Sequence, residues 1–579
     1  MKIFNRLFII STLIMLLSLF NLSFAEAQIP TGQDVGTLER TIEEDKAKEA
    51  ARERLEKAKE EPEIEEEGVL PEEPAEKVRP EAKVLIDRVV VSGATALSQS
   101  QIRSIVAPYE GRELSLDDFR EIADLITSEY RKKGYVTSLA YLPPQRIENN
   151  TLEITVAEGK VGNVNISGNK HFTKDLFLKY VDMKKGSLFN YDALRESVKF
   201  INEHPDRSTA AVLARGEGPS ETDINIDVKD RMPLHAILGY NNYNSRYVNR
   251  NKYLMEFKAN NFLGLDHRAS AEIQLGQRNR FQLYSARYLM PINTRLKLGA
   301  YYIHVNQKLG KEVRHFDIKG EGDIMSYFAS YRLYDTDNFT MHINPGFEWK
   351  DLENKMQGVR MSKDKLRIAK LGFDFDIKDP FYGRSIITHE FDWGIENLLG
   401  GLDNEDPRAS RPGTGGEFFR TVTNVARIQA LPASMTLMLR GAMQLTSRSI
   451  VASEQFSIGG MYKVRGYPVA EDSGDRGYTF TTELYIPPYP IPKDFKIPYT
   501  KTTLYDSLRF LAFFDWGHVD NENARVGERD HRTLMSFGPA LRFEIPEKGS
   551  VSFDYGFCLG KDGSDGKDSR AYIEVKMYL

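Results

Sequence analysis

From Met232 to Leu579 the sequence alternates apolar and polar residues with a period of two, and no other feature restricts the fold so strongly. Ala269, Ala271, Ile273 and Leu275 alternate with Ser270, Glu272 and Gln274. Phe537, Leu541, Phe543 and Ile545 alternate with Gly538, Arg542 and Glu544, and Val551, Phe553, Tyr555, Phe557 and Leu559 with Ser552, Asp554, Gly556 and Cys558. The chain ends in the same way, with Ala571, Ile573, Val575, Met577 and Leu579 on one face and Tyr572, Glu574, Lys576 and Tyr578 on the other. Successive side chains of a strand point to opposite faces, so the pattern specifies a sheet with one apolar and one polar face.

A soluble β-sandwich and a membrane β-barrel both meet that description. At about 9–11 residues per tilted strand plus turns, the span supplies a barrel of some 14 to 18 strands, with 16 the expected number. A barrel that wide holds water, and therefore a plug or a passing chain. Met1 to Ala25 reads as a secretory signal: Lys2 and Arg6 are positive, Leu7 to Phe20 is mostly apolar, and Ser23-Phe24-Ala25 offers small residues for cleavage, so the mature chain begins near Glu26. The alternative is an uncleaved N-terminal anchor. Export and a strand at the terminus favour the membrane barrel.

Composition narrows the function. With 41% hydrophobic and 28% charged residues among 579, and a mean hydropathy of −0.45, the chain is too polar for a bundle of spanning helices. It is aromatic-rich, with 28 Tyr and 32 Phe, as a barrel exposed to lipid is. A net charge of −5 gives no broad positive field for nucleic acid. The single cysteine, Cys558, excludes an internal disulfide framework and a Cys-rich metal site. There is no G-x-S-x-G elbow and no H-E-x-x-H, and the ten histidines lack ligand spacing, so no catalytic residue, metal or cofactor is expected.

Ahead of the barrel, Thr37–Glu60 carries opposite charges three and four residues apart with only Leu38, Ile42 and Leu55 as large apolar residues. It predicts a helix that belongs in water or a water-filled cavity. Glu61–Pro80, with Pro62, Pro71, Pro74 and Pro80, reads as an extended linker. Two α/β units follow with the same order of elements. The first has a strand at Leu85–Val91, helices near Ser98–Val106 and Ser115–Lys133, and strands at Tyr135–Leu142 and Thr151–Ala157. In its second helix Leu116, Phe119, Ile122, Ala123 and Ile126 share a face, and Gly134 ends it. The second unit has a strand at Val161–Ile166, helices near Thr173–Val181 and Tyr191–Asn202, and strands near Ser208–Ala214 and Asp223–Val228.

Gly134-Tyr135-Val136-Thr137-Ser138-Leu139-Ala140-Tyr141-Leu142-Pro143-Pro144-Gln145, followed by Leu152-Glu153-Ile154-Thr155-Val156-Ala157-Glu158-Gly159, resembles the first POTRA domain of the TpsB transporters of two-partner secretion, the FhaC/ShlB type. Val161–Asn169 resembles the opening of the second POTRA domain. Val464-Arg465-Gly466-Tyr467 is similar to the family's VRGY motif at a loop tip, and Phe513-Phe514-Asp515-Trp516-Gly517 fits its F-x-D-x-G strand motif. Each motif is weak alone; their order and spacing behind two POTRA-like units make them strong.

The resemblance implies a signal peptide at 1–25, a plug-like helix at 26–60, a linker at 61–83, POTRA domains at 84–159 and 160–231, and a transmembrane barrel at 232–579. It implies an outer-membrane protein of a Gram-negative bacterium, with POTRA domains in the periplasm, that exports a secreted TpsA-like exoprotein. The remaining implied partners are outer-membrane lipid and, during biogenesis, the barrel-assembly machinery, and the chain is expected to be a monomer. On the family pattern the loop folds into the lumen, Arg465 meets Asp515 on the inner wall, Phe513 and Asp515 share a strand face, and Gly517 leaves space for the loop. Val464, Gly466 and Tyr467 complete that candidate site. Two features depart from the pattern: the chain ends in Tyr578-Leu579 rather than an aromatic residue, and Asn149-Asn150 stands where a Gly is common, in a turn that Asn tolerates.

The other reading within the superfamily is an assembly factor that inserts barrels into the outer membrane. The Pro-Pro-Gln segment, the two POTRA units and the plug-like helix argue against it. An enzyme on a barrel anchor lacks a motif, and a nutrient porin leaves the POTRA units unexplained.

Overall fold

The computed structural model describes residues 83–525 and 528–579, the backbone of Ile64–Glu66, and Gln33 and Val35. The expected signal peptide, the Thr37–Glu60 helix and most of the Glu/Pro-rich linker lie outside the described residues. In the N-terminal unit the elements are β1 (Ile64–Glu66), β2 (Val84–Ile86), β3 (Arg88–Ser92), α1 (Gln99–Val106), β4 (Arg112–Leu114), α2 (Leu116–Lys132), β5 (Leu139–Tyr141) and β6 (Thr151–Ala157), then β7 (Lys160–Ser167), α3 (Lys174–Val181), α4 (Tyr191–Asn202), β8 (Arg207–Arg215) and β9 (Glu221–Asp230).

Local sequence sets the helix starts. Ser98 and Gln101, and likewise Ser115 and Asp118, form capping boxes in which each side chain satisfies the other's backbone N–H. Phe119, Ile122, Ala123 and Ile126 of α2 are buried at helical spacing, and Gly134, with φ of +83°, takes the left-handed conformation that stops it. The first half holds a sheet of order β3-β6-β5 and a small β2-β4 ladder, and the second a sheet of order β1-β8-β9-β7. Phe177, Leu194, Val198 and Ile201 pack from α3 and α4 onto Ala211, Leu213, Ile224 and Ile226 of that second sheet. The linker's β1 adds in parallel to β8, with Ile64 opposite Ala211.

Three boundaries differ from expectation. The Leu85–Val91 strand is divided at Asp87, whose N–H, like that of Arg88, turns to the Asn150 carbonyl (2.8 and 3.3 Å). The Tyr135–Leu142 strand shrinks to Leu139–Tyr141 because a turn, closed by Ser138 N–H to the Tyr135 carbonyl at 3.1 Å, occupies its start. The short strand β4 between the two helices was not expected; it pairs with β2. Asn149 and Asn150 take positive φ (51° and 52°).

The second unit is a closed barrel. Its strands are β10 (Leu234–Asn241), β11 (Lys252–Phe262), β12 (His267–Gly276), β13 (Phe281–Pro291), β14 (Leu296–Lys308), β15 (Ile318–Asp335), β16 (Phe339–Met356), β17 (Val359–Asp379), β18 (Gly383–Gly394), β19 (Phe418–Ala430), β20 (Thr436–Thr446), β23 (Arg476–Ile486), β24 (Leu508–Asp520), β25 (His531–Ile545), β26 (Gly549–Cys558) and β27 (Ser569–Tyr578); β21 (Phe456–Ile458) and β22 (Asp472–Gly474) lie in the connection between β20 and β23. Neighbours pair in sequence order, and β27 closes on β10 in antiparallel register from Ile237–Tyr578 to Asn241–Glu574, which gives 16 strands. The alternation read from the sequence is the inside–outside pattern: Glu272, Gln274, Asp554 and Tyr572 are buried, while Ile273, Leu275, Phe553, Phe557, Val575 and Met577 are exposed on the outer wall. Closure leaves no free edge in the barrel sheet.

Candidate functional site: a loop folded into the barrel

Residues 447–475 connect β20 to β23, and instead of standing out into water they fold into the lumen. The β21–β22 ladder, with Phe456 opposite Gly474, stiffens the base. Gly459, Gly460 and Gly466 take φ of +97°, +95° and +91°, which reverses the chain at both ends of the tip. Val464 and Tyr467 are buried with Phe456, Ile458, Val519 and Leu534. This apolar cluster brings Arg465 to the wall with 1% of its surface exposed.

The Arg465 guanidinium makes a fork on Asp515, Nε to Oδ2 at 2.8 Å and Nη2 to Oδ1 at 2.7 Å. Its Nη1 donates to Glu483 Oε1 (2.7 Å) and Asp554 Oδ1 (3.0 Å), and its backbone N–H donates to Asp515 Oδ2 (3.0 Å). The guanidinium lies 3.4 Å from the Phe513 ring centre, in cation–π geometry. Arg542 forks onto Asp554 (2.7 and 2.9 Å) and Arg440 reaches Glu483 (2.9 Å). Three guanidiniums therefore face three buried carboxylates. Paired planar groups of this kind are charge-assisted and geometrically selective.

The structure thus brings Val464, Arg465, Gly466, Tyr467, Phe513, Asp515 and Gly517 to one place. A methyl group on Gly517 would lie 2.8 Å from Val464 Cγ2 and 3.1 Å from Ile458 Cγ2, so only glycine admits the loop. Gly466 N–H donates to the Tyr572 hydroxyl (3.2 Å), which in turn donates to the Tyr467 carbonyl (3.0 Å). Glu483, Asp554, Tyr572 and Gly556 were not singled out from sequence. The available signal was that each stands at an inward register of its strand, where the two acids, Glu483 and Asp554, need a counter-charge.

Gln33 and Val35 also lie inside the barrel. Gln33 Nε2 donates to the loop carbonyl of Val469 (3.2 Å), Gln307 Nε2 donates to the Gln33 carbonyl (2.9 Å), and Ser245 Oγ donates to Gln33 Oε1. Val35 is buried among Val248, Phe281, Leu283 and Val305, and a methyl on Gly320 would meet its Cβ at 2.7 Å. Among the described residues no group of three His, Cys, Asp or Glu is arranged to hold a metal ion.

A 16-stranded barrel whose long loop is ionically seated inside it, preceded by paired α/β units, defines an outer-membrane transporter of the POTRA–barrel kind. Residues 220–543 match the haemolysin secretion/activation protein ShlB/FhaC/HecB family, residues 84–159 the ShlB-type POTRA domain, and residues 160–231 the POTRA surface-antigen variable-number repeat. The chain belongs to the ShlB/FhaC/HecB family of two-partner secretion transporters. It is 23% identical over 460 residues to the heme/hemopexin transporter protein HuxB of Haemophilus influenzae (strain 86-028NP), covering 76% of this chain and 78% of that one. It is 21% identical over 454 residues to the outer membrane transporter CdiB of Escherichia coli O6:K15:H31 (strain 536 / UPEC), covering 76% and 73%. The solved structure of CdiB from Escherichia coli superposes with a TM-score of 0.77 at 19% identity over 96% of this chain and 100% of that one, which establishes the shared fold. The protein resides in the outer membrane, with its POTRA domains in the periplasm.

Proposed function

We propose that the protein exports one large β-rich exoprotein, captured in the periplasm by the POTRA domains (84–159 and 160–231) and passed through the barrel (232–579) once the inner loop leaves its seat. The observation that carries this reading is the shared Arg465 guanidinium, whose four side-chain hydrogen bonds to Asp515, Glu483 and Asp554 hold the loop tip inside the barrel. An extended amphipathic segment of the cargo adds to a POTRA sheet edge, main-chain bonds giving affinity and alternate side chains selectivity. Residues 26–60 act as a plug helix that leaves the pore on its 61–83 tether, and folding of the cargo at the cell surface supplies the driving force. The protein works as a monomer, is placed in the membrane by the barrel-assembly machinery, and catalyses no covalent step.

The deciding experiment is comparative proteomics of culture supernatant and outer membrane from the source bacterium with and without the gene. Loss of one large exoprotein with other barrels unchanged is the expected result. Broad depletion of outer-membrane barrels would overturn it in favour of an assembly factor.

A further inference from the structure

The inner loop carries a second buried ionic contact, away from the Arg465 seat and on a different part of the wall. Glu454 lies in the 3-10 turn Ala452–Glu454 at the base of the loop and is fully buried. Its carboxylate pairs with Arg420 of β19 and lies 3.1 Å from Lys350 Nζ of β16. Arg420 also donates Nε to Asp392 of β18 (2.9 Å), Lys350 meets Glu348 (3.2 Å), and Lys370 of β17 bridges Glu348 and Glu390 (3.5 and 3.0 Å). Glu348 accepts a further bond from the Tyr301 hydroxyl (2.7 Å). On the wall itself three cations, Arg420, Lys350 and Lys370, already match three acids, Asp392, Glu348 and Glu390. Glu454 is a further charge in this network, and the loop contributes it.

Beside it, Gln444 of β20 gives its two amide hydrogens to the Glu454 carbonyl (3.0 Å) and the Asp475 carbonyl (2.9 Å), so one side chain ties the two limbs of the loop at their root. Ser453 Oγ donates to Asp364 Oδ2 of β17 (3.1 Å). The tip contacts fall on β23 to β27, the Arg465 ion pairs among them on β23, β24 and β26; these contacts fall on β16 to β20.

We propose that Glu454 is a second, separately releasable latch of the loop, a positioning residue that fixes the root to the Arg420–Lys350 pair while Arg465 fixes the tip, and that transport requires both to open. Release of the tip alone leaves the root still anchored to the β16–β20 wall. This rests on the loop-release reading above, and the two can fail separately.

The test uses the full-length protein in planar bilayers and in cells, with heat-modifiable migration in gels as the check of folding. Glu454→Gln keeps size and removes charge. Loss of a charge-assisted bond should raise the frequency of wide openings about tenfold or more. Alkylation of Cys558, which is packed against the tip cluster, should stay within about twofold of wild type, since a latch at the root leaves the tip seated. As a second variant that leaves Glu454 intact, cysteines replace Ser453 and Asp364 on a Cys558→Ser background. Oxidation to the disulfide should abolish secretion and reduction should restore it. Unchanged openings in a folded Glu454→Gln barrel, openings and Cys558 reactivity rising together, or wild-type secretion from the oxidised crosslink would each overturn the second latch. If Arg465→Ala also leaves Cys558 reactivity and secretion unchanged, the loop-release reading falls; if only the Glu454 and crosslink results fail, that reading stands and the second latch alone is lost.

Discussion

Replacing Arg465 with alanine tests the tip seat most directly, and the protein supplies its own reporter. The change removes four hydrogen bonds to three carboxylates, Asp515, Glu483 and Asp554, which are 0–2% exposed. Arg542 and Arg440 remain, so the site keeps two guanidiniums against three acids and one buried negative charge is left over. Removing one partner of a buried ion pair costs about 3–5 kcal/mol. At about 1.4 kcal/mol per factor of ten, the seated loop loses about a hundred- to a few-thousand-fold of its advantage over the released one. Cys558 stands on β26 beneath the cluster of Val464 and Tyr467, and it is the only cysteine. Cys558 is half-buried against that cluster, so release of the loop uncovers the thiol further, and its alkylation should be faster in Arg465→Ala protein that still migrates as a folded barrel. Secretion should fall in the same variant, and in Asp515→Ala. A folded Arg465→Ala barrel that alkylates at the wild-type rate and secretes normally would refute the reasoning.

A steric counterpart leaves every charge in place: the Cβ of Gly556→Ala would lie 2.6 Å from Gly466 N and 2.8 Å from Arg465 C, so it should raise Cys558 alkylation and lower secretion as Arg465→Ala does. Deleting Thr37–Glu60 should raise single-channel conductance in planar bilayers, and unchanged conductance would mean that this segment does not occlude the pore. In the first POTRA domain Glu158 accepts bonds from Thr95 N and Oγ1 (2.6 and 2.5 Å), Ala96 N (2.8 Å) and the Tyr130 hydroxyl (2.6 Å). Burial opposes the charge, but the bonds from Thr95, Tyr130 and Ala96 outweigh it and hold the carboxyl below its ordinary range. A depressed carboxyl stabilises the fold above the ordinary Glu range and loses that contribution as pH falls through its folded value. Glu158→Gln should therefore speed hydrogen exchange across residues 84–159 at pH 7, by about 1.5–3 kcal/mol in opening free energy. The gap from wild type should narrow as the pH drops below about 4.

The barrel was readable because a two-residue period survives any arrangement of neighbours: whichever strands pair, Ile273 and Glu272 face opposite ways. The helices of the first POTRA unit were readable because their caps are local, Ser98 with Gln101 and Ser115 with Asp118. Where tertiary contacts decide, the reading weakened. The start of the Tyr135–Leu142 segment turns because Tyr135 packs edge-on against Tyr130, 6.0 Å between ring centres, a contact no strand propensity encodes. The Arg465–Asp515 pair came from motifs with a known relation, whereas Glu483 and Asp554 are single acids among many inward positions. Only the closed register, which puts β23, β24 and β26 around one loop tip, selects them. Glu454 is hidden for the same reason, since its cations lie on strands β16 and β19, far earlier in the chain.

The hydrogen bond from Gln33 to the Val469 carbonyl joins the N-terminal segment to the descending limb of the inner loop. Any free energy by which the seated loop favours the presence of the N-terminal segment is returned in full by that segment to the loop, because coupling between two equilibria is reciprocal. A displacement of Gln33 is therefore also a bias on the loop, delivered through one amide.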